Sequence, residues 1–162
     1  MTACQDEGMS EHAVQGIDEV LAASRGLLGV VARSLAPALE DVTVPQFRLI
    51  VLVVSLGPTR SGDLADRLAV GPSTLTRNVD RLVAGGWVER RPGADNRREV
   101  RIAATDRGRA LVDEVTERRR RELEAIVAGM PEQDRAVAVA GMAAFRRAMG
   151  EPAPEEVSAF GG

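Results

Sequence analysis

Between Ser61 and Ala103 the spacing of apolar residues changes once, and the change falls on the pair Gly85-Gly86. Two short segments with three-and-four spacing precede the pair. Two extended runs follow it, around the turn-forming string Pro92-Gly93-Ala94-Asp95-Asn96. Ser61 is a good N-cap for the first segment, with Asp63 at the positive end of the helix dipole and Leu64, Ala65 and Leu68 pointing inward. A turn over Ala69 to Gly71 leads to Pro72, whose missing amide costs nothing at a first helical position. Leu75, Val79, Leu82 and Val83 then fall on one helical face. Two short helices joined by a tight, glycine-containing turn make a helix-turn-helix. Trp87 and Val88 open one strand and Val100 to Ala103 form another, so a hairpin follows directly.

Longer helices flank this unit. Ile17, Val20, Leu21, Leu27, Leu28, Val31 and Leu35 mark one helix face, with Ser24 as a small polar exception, and that helix should stop near Pro37 to Asp41. Thr43, Pro45 and Gln46 announce the next helix by a capping-box pattern, and Phe47, Ile50, Val51 and Val54 are its buried stripe. Gly57 to Arg60 breaks the pattern. After the hairpin, Thr105 caps a long helix carrying Leu111, Val112, Val115, Leu123, Ile126 and Val127, which ends around Gly129. Pro131 starts a last helix with Val137, Met142, Phe145 and Met149. The fold class expected is mainly α with a small β-hairpin wing, a winged helix-turn-helix with long terminal dimerisation helices. Its expected parts are a flexible N-terminal tail (1–12), an N-terminal dimerisation helix (13–42), a winged lobe (43–104), C-terminal dimerisation helices (105–150) and a flexible tail (151–162).

A chain of 162 residues supports one such core. Its net charge of -3 hides an asymmetry. Arg60 to Arg109 holds eleven Arg against seven acidic residues, whereas the remainder holds ten Arg against seventeen. The middle is basic and the ends are acidic. No run of eighteen apolar residues is present and the start is acidic and polar, so no membrane span is expected and the cytoplasm is the expected location. One Cys and one His provide neither an intrachain disulfide nor the usual zinc ligands. With no phosphate-binding glycine loop and no nucleophile motif, neither catalysis nor a cofactor is expected.

On the second short helix, Ser73, Arg77 and Asp80 lie opposite the buried stripe, flanked by Thr74, Thr76 and Arg81. Small hydroxyls and an Arg near the N-terminal end suit a helix entering the major groove, although a solvated helix looks similar. The hairpin weighs in favour of DNA. It carries Arg90, Arg91, Arg97, Arg98 and Arg101, interrupted by Glu89, Asp95 and Glu99, and such an arm can enter a minor groove. Ser73, Thr74, Thr76, Arg77 and Arg81 on the helix and Arg97 and Arg98 on the wing are therefore the candidate DNA contacts, with double-stranded DNA as the partner. A winged module that contacts proteins instead of DNA is the alternative. Arg118 to Arg121, four consecutive helix positions pointing in different directions, read as a solvated face.

The strings Val44-Pro45-Gln46-Phe47, Ser61-Gly62-Asp63-Leu64-Ala65, Pro72-Ser73-Thr74-Leu75-Thr76-Arg77, Trp87-Val88-Glu89-Arg90-Arg91, Asp95-Asn96-Arg97 and Thr105-Asp106-Arg107-Gly108-Arg109 occur in this order. Together they resemble the MarR family over about nine tenths of the chain. The Asp-x-Arg of the wing and the Thr-x-x-Gly-Arg after it are the more diagnostic parts. The resemblance implies a homodimeric transcriptional regulator, with Arg97 as the minor-groove residue, Asp95 orienting the wing and the start of the second short helix facing the major groove. It departs from the family at Gly71, a weaker cap than the usual hydroxyl, and at Ala103-Ala104, where the loss of a bulky aliphatic loosens the strand-to-helix junction. Many members bind a small aromatic or lipophilic effector, for which Phe47 and Arg48 are the candidate positions here. N-terminal cysteines sense peroxide in one branch, but the tail around Cys4 offers nothing that lowers a thiol pKa.

Overall fold

The structure is a computed structural model that describes residues 6–93 and 99–150, with the side chains of the first helix described from residue 16. Helix α1 (Asp6–Leu35) starts inside the stretch expected to be a tail, and a 3₁₀ turn (Ala36–Glu40) closes it at Pro37, as the sequence requires. Gly16–Glu40 contains an 18-residue window with a mean hydropathy of 1.2, long and apolar enough to cross a membrane by length and composition. Arg25 and Arg33 interrupt the stretch, so it holds no run of eighteen apolar residues, and the core helix of a globular fold passes the same test of length and composition. In this fold its C-terminal half packs against a later helix, burying Val30 and Ser34.

Helix α2 (Val44–Leu56) begins where Gln46 accepts hydrogen bonds from the Thr43 amide at 2.8 Å and the Thr43 hydroxyl at 3.1 Å. Those bonds satisfy a donor that a helix start leaves orphaned. Phe47, Leu49, Ile50 and Val53 are buried from it. Strand β1 (Thr59–Arg60) follows, then α3 (Ser61–Leu68), whose N-cap is Arg60, so Ser61 is the first helical residue instead of the cap. Ala69 closes α3 in the left-handed region with φ of 53°. Helix α4 (Pro72–Ala84) has Pro72 at its first position and ends at Gly85-Gly86.

Strands β2 (Val88–Pro92) and β3 (Val100–Ala104) form the hairpin. The sheet has three strands in the order β1-β3-β2, all antiparallel, with Thr59 opposite Ile102 and Arg90 opposite Ile102 on the other side. Helix α5 (Asp106–Ala128) is capped by Thr105, whose hydroxyl accepts from the Gly108 amide at 3.1 Å. Ala103 and Ala104 are buried, and the Ala104 carbonyl accepts from Arg109 at 2.8 Å, so the junction is tied despite its small side chains. Helix α6 (Glu132–Ala148) buries none of its residues.

One core joins Ile50 and Val53 of α2, Leu64 of α3, Leu75, Val79 and Leu82 of α4, Trp87, Val88 and Ile102 of the sheet, and Leu111 and Val115 of α5. Each fully buried aliphatic contributes roughly 1.5–3 kcal/mol by removal from water. Because all three α4 members of the core lie on one side, its other side is held outward.

Candidate nucleic-acid interface

The buried stripe of α4 orients everything opposite it. Ser73, Thr74, Thr76, Arg77, Asp80 and Arg81 are all exposed, as the helical period required. The side chains of Ser73, Thr74, Arg77 and Arg81 have no hydrogen-bond or ion-pair partner among the described residues, which leaves their donors available to a ligand. Thr76 differs: its hydroxyl donates to the Pro72 carbonyl at 2.9 Å, so it can present only an acceptor and a methyl outward.

Beside this face stands the hairpin. Arg90 of β2 reaches across to Asp80 of α4, Nη2 to Oδ1 at 2.5 Å, joining wing to helix. Arg91 pairs with Glu89 within β2. At the wing base the Gly93 amide donates to the Glu99 carbonyl at 2.8 Å. The Glu99 carboxylate receives Arg60 Nε at 2.6 Å and Arg101 Nε at 2.9 Å. Arg60 and Arg101 are directly opposed across the β1–β3 ladder, an arrangement that repels unless an anion sits between them. Those two guanidinium groups, Arg60 above all, hold the Glu99 carboxyl below its ordinary value against a smaller opposing effect of burial.

The wing candidates Asp95, Arg97 and Arg98 lie outside the described residues, as does Cys4. Among the effector candidates, Phe47 is buried in the core and its neighbour Arg48 is exposed. Neither lines the grooves of about 660 and 370 Å³ that α5 and α6 form with each other and with α1. Among the described residues no group of three or more His, Cys, Asp or Glu could hold a metal.

Sequence reasoning missed the Arg60–Glu99–Arg101 clamp and the Asp80–Arg90 bridge. Glu99 and Arg101 alternate on one strand face, a signal the sequence does carry. Arg60 joins them only through strand pairing, which it does not carry.

What the arrangement offers is an exposed helix face with free side-chain donors and an arginine-bearing hairpin next to it. The family model described as "MarR family" matches residues 42–100, the stretch that contains both. The multiple antibiotic resistance protein MarR of Salmonella typhimurium is 32% identical over 78 residues, 48% of this chain and 54% of that one, so the chain spans about half the length of that relative. The crystal structure of Rv1404 from Mycobacterium tuberculosis is similar at 41% identity with a TM-score of 0.76, covering 88% of this chain and 97% of that one. Streptococcus pneumoniae FabT, whose structure was solved in complex with DNA, shares the fold at 21% identity with a TM-score of 0.64, covering 85% and 97%. With its helix-turn-helix, three-stranded sheet and long flanking helices, the chain belongs to the MarR family of winged-helix transcriptional regulators.

Proposed function

We propose that the protein binds double-stranded DNA as a homodimer at a pseudo-palindromic operator in the cytoplasm, and regulates transcription there as a repressor or an activator. The observation that carries this reading is the unpartnered outer face of α4, where Ser73, Thr74, Arg77 and Arg81 stand exposed and unpaired beside the hairpin. Side chains of that kind at a helix start read base edges and phosphates in a major groove. Arg97 and Arg98 then enter the adjacent minor groove from the wing tip, with Asp95 orienting it. That FabT was solved with DNA supports the assignment by its shared fold.

The terminal helices supply the support for a dimer. Ile17, Leu21 and Leu28 of α1 and Val137, Met142 and Phe145 of α6 are exposed large apolar residues, and an apolar groove of about 370 Å³ runs between the two helices, lined by Val20, Leu27, Met142 and Phe145. Leu28 is 67% exposed and Val137 71%, which a second copy of the same surface would cover by an isologous interface. On this reading 13–42 and 105–150 hold the dimer and 43–104 holds the DNA. A small aromatic or lipophilic effector releases the DNA by preferring a spacing of the two lobes that does not fit successive grooves.

Binding to a duplex upstream of the protein's own coding region, measured against salt, tests the reading. A log–log slope of about -0.9 per neutralised phosphate is expected. No binding, or binding indifferent to salt, would replace DNA with a protein partner.

A further inference from the structure

Arg107 occupies the first turn of α5, where the helix dipole is positive and a cation is unfavourable. Its surroundings supply the reason for it. The guanidinium lies 3.8 Å from the centroid of the Trp87 ring, and Nη1 donates to the Gly85 carbonyl at 2.8 Å. Gly85 is the C-cap of α4, where carbonyls lack helical partners and the dipole is negative, so the cation that opposes one helix completes the other.

The joint is closed on every side. The Trp87 amide donates to Leu82 at 2.9 Å, and the Trp87 carbonyl accepts from the Thr105 amide at 3.2 Å and from the Thr105 hydroxyl at 3.1 Å. That hydroxyl also lies 2.7 Å from the Gly86 carbonyl. A Cβ at residue 85 would stand 2.7 Å from Trp87 Cδ1 and Nε1, and one at residue 108 would stand 2.2 Å from the Trp87 carbonyl oxygen. Two glycines therefore exist to let the end of α4, the Trp87 segment and the first turn of α5 close on one another. Thr105 ties the backbone of the three, and Arg107 links them by its long side chain while remaining at the surface.

We propose that Arg107 is a positioning residue that fixes α4 against α5 by holding the α4 C-terminal carbonyl and the Trp87 ring on one guanidinium. The inference rests on the DNA-binding reading of α4, whose presentation to a groove depends on that angle. A planar fork can stack on the ring and reach the carbonyl together, which an ammonium does less well.

The test compares wild type with Arg107→Ala and Arg107→Lys in the full chain, using a duplex that the wild type recovers from a randomised pool. In the free protein, amide hydrogen exchange at Gly85, Gly86 and Trp87 should be about tenfold faster in Arg107→Ala while α2 amides are unchanged, with partial recovery in Arg107→Lys. Affinity for the duplex should fall about tenfold with an unchanged salt slope, because no phosphate contact is lost. Unchanged exchange in Arg107→Ala overturns the proposal, as does a loosened joint with undiminished affinity. A salt slope smaller by about one would instead make Arg107 a phosphate contact and overturn it too. If the wild type recovers no duplex, the DNA-binding reading falls, and the exchange result alone decides whether Arg107 fixes the joint.

Discussion

At the scale of single residues, the contacts that set the wing and the helix junction are short and specific. Gly108 illustrates how little room they leave, since any side chain would drive its Cβ to within 2.2 Å of the Trp87 carbonyl oxygen. Backbone cannot yield as a rotamer can, so Gly108→Ala should cost the upper end of about 1–3 kcal/mol, read as a lower midpoint in chemical unfolding with an unchanged denaturant slope. Glu99 predicts a different signature. Its carboxyl is held below the ordinary carboxylate value by Arg60 and Arg101, so its contribution is fully present above the unfolded value and is lost as pH falls through the lowered folded one. Wild type should therefore exceed Glu99→Gln in stability at neutral pH, and the two curves should converge in acid. Parallel curves down to pH 3 would show that the clamp adds nothing.

The elements divide by how they are made. Helices were legible because their signals are local: the apolar period, the Thr43 and Thr105 caps, Pro72 at a first position and the Gly85-Gly86 stop all lie within a turn of what they determine. Strand β1 was not legible, because two residues, Thr59 and Arg60, carry no period and become a strand only by pairing with Ile102 and Arg101 some forty positions later. The outer face of α4 could be read from the wheel, whereas the internal bond of Thr76 and the bridge from Asp80 to Arg90 depend on side-chain geometry that spacing does not encode. On the proposed function, the two basic elements should fail differently. Arg77→Ala should cost about 1–3 kcal/mol of binding and relax preference at particular base pairs. Arg97→Ala should weaken binding chiefly through the A·T content of the flanks. Gel-shift competition across a set of mutated duplexes separates the two patterns, and equal losses at every position for both variants would count against the assigned faces.

For the whole molecule, the unsatisfied surface is concentrated at the two ends of the chain. Helix α6 buries nothing, and α1 exposes Ile17, Leu21 and Leu28 even though its C-terminal half is packed. Leu28→Asp or Phe145→Asp should convert a dimer into monomer or aggregate while the winged lobe keeps its core, because neither residue belongs to that core. Sedimentation at micromolar concentration reads the result, and a wild type that sediments as a stable monomer would exclude the dimer.

The ties between α1 and α5 also impose an order in time. Arg33 donates to Glu122 at 3.0 Å and Arg119 to Ser34 at 3.3 Å, across separations of 89 and 85 residues. During translation, at about 5–20 residues per second, roughly 4–18 s pass between the emergence of Arg33 and that of its partner. The lobe core is complete once Val115 has emerged, a few residues before Glu122. Val30 and the rest of the C-terminal half of α1 must wait through that interval uncovered, which makes that half of the helix a site where a chaperone would bind the nascent chain.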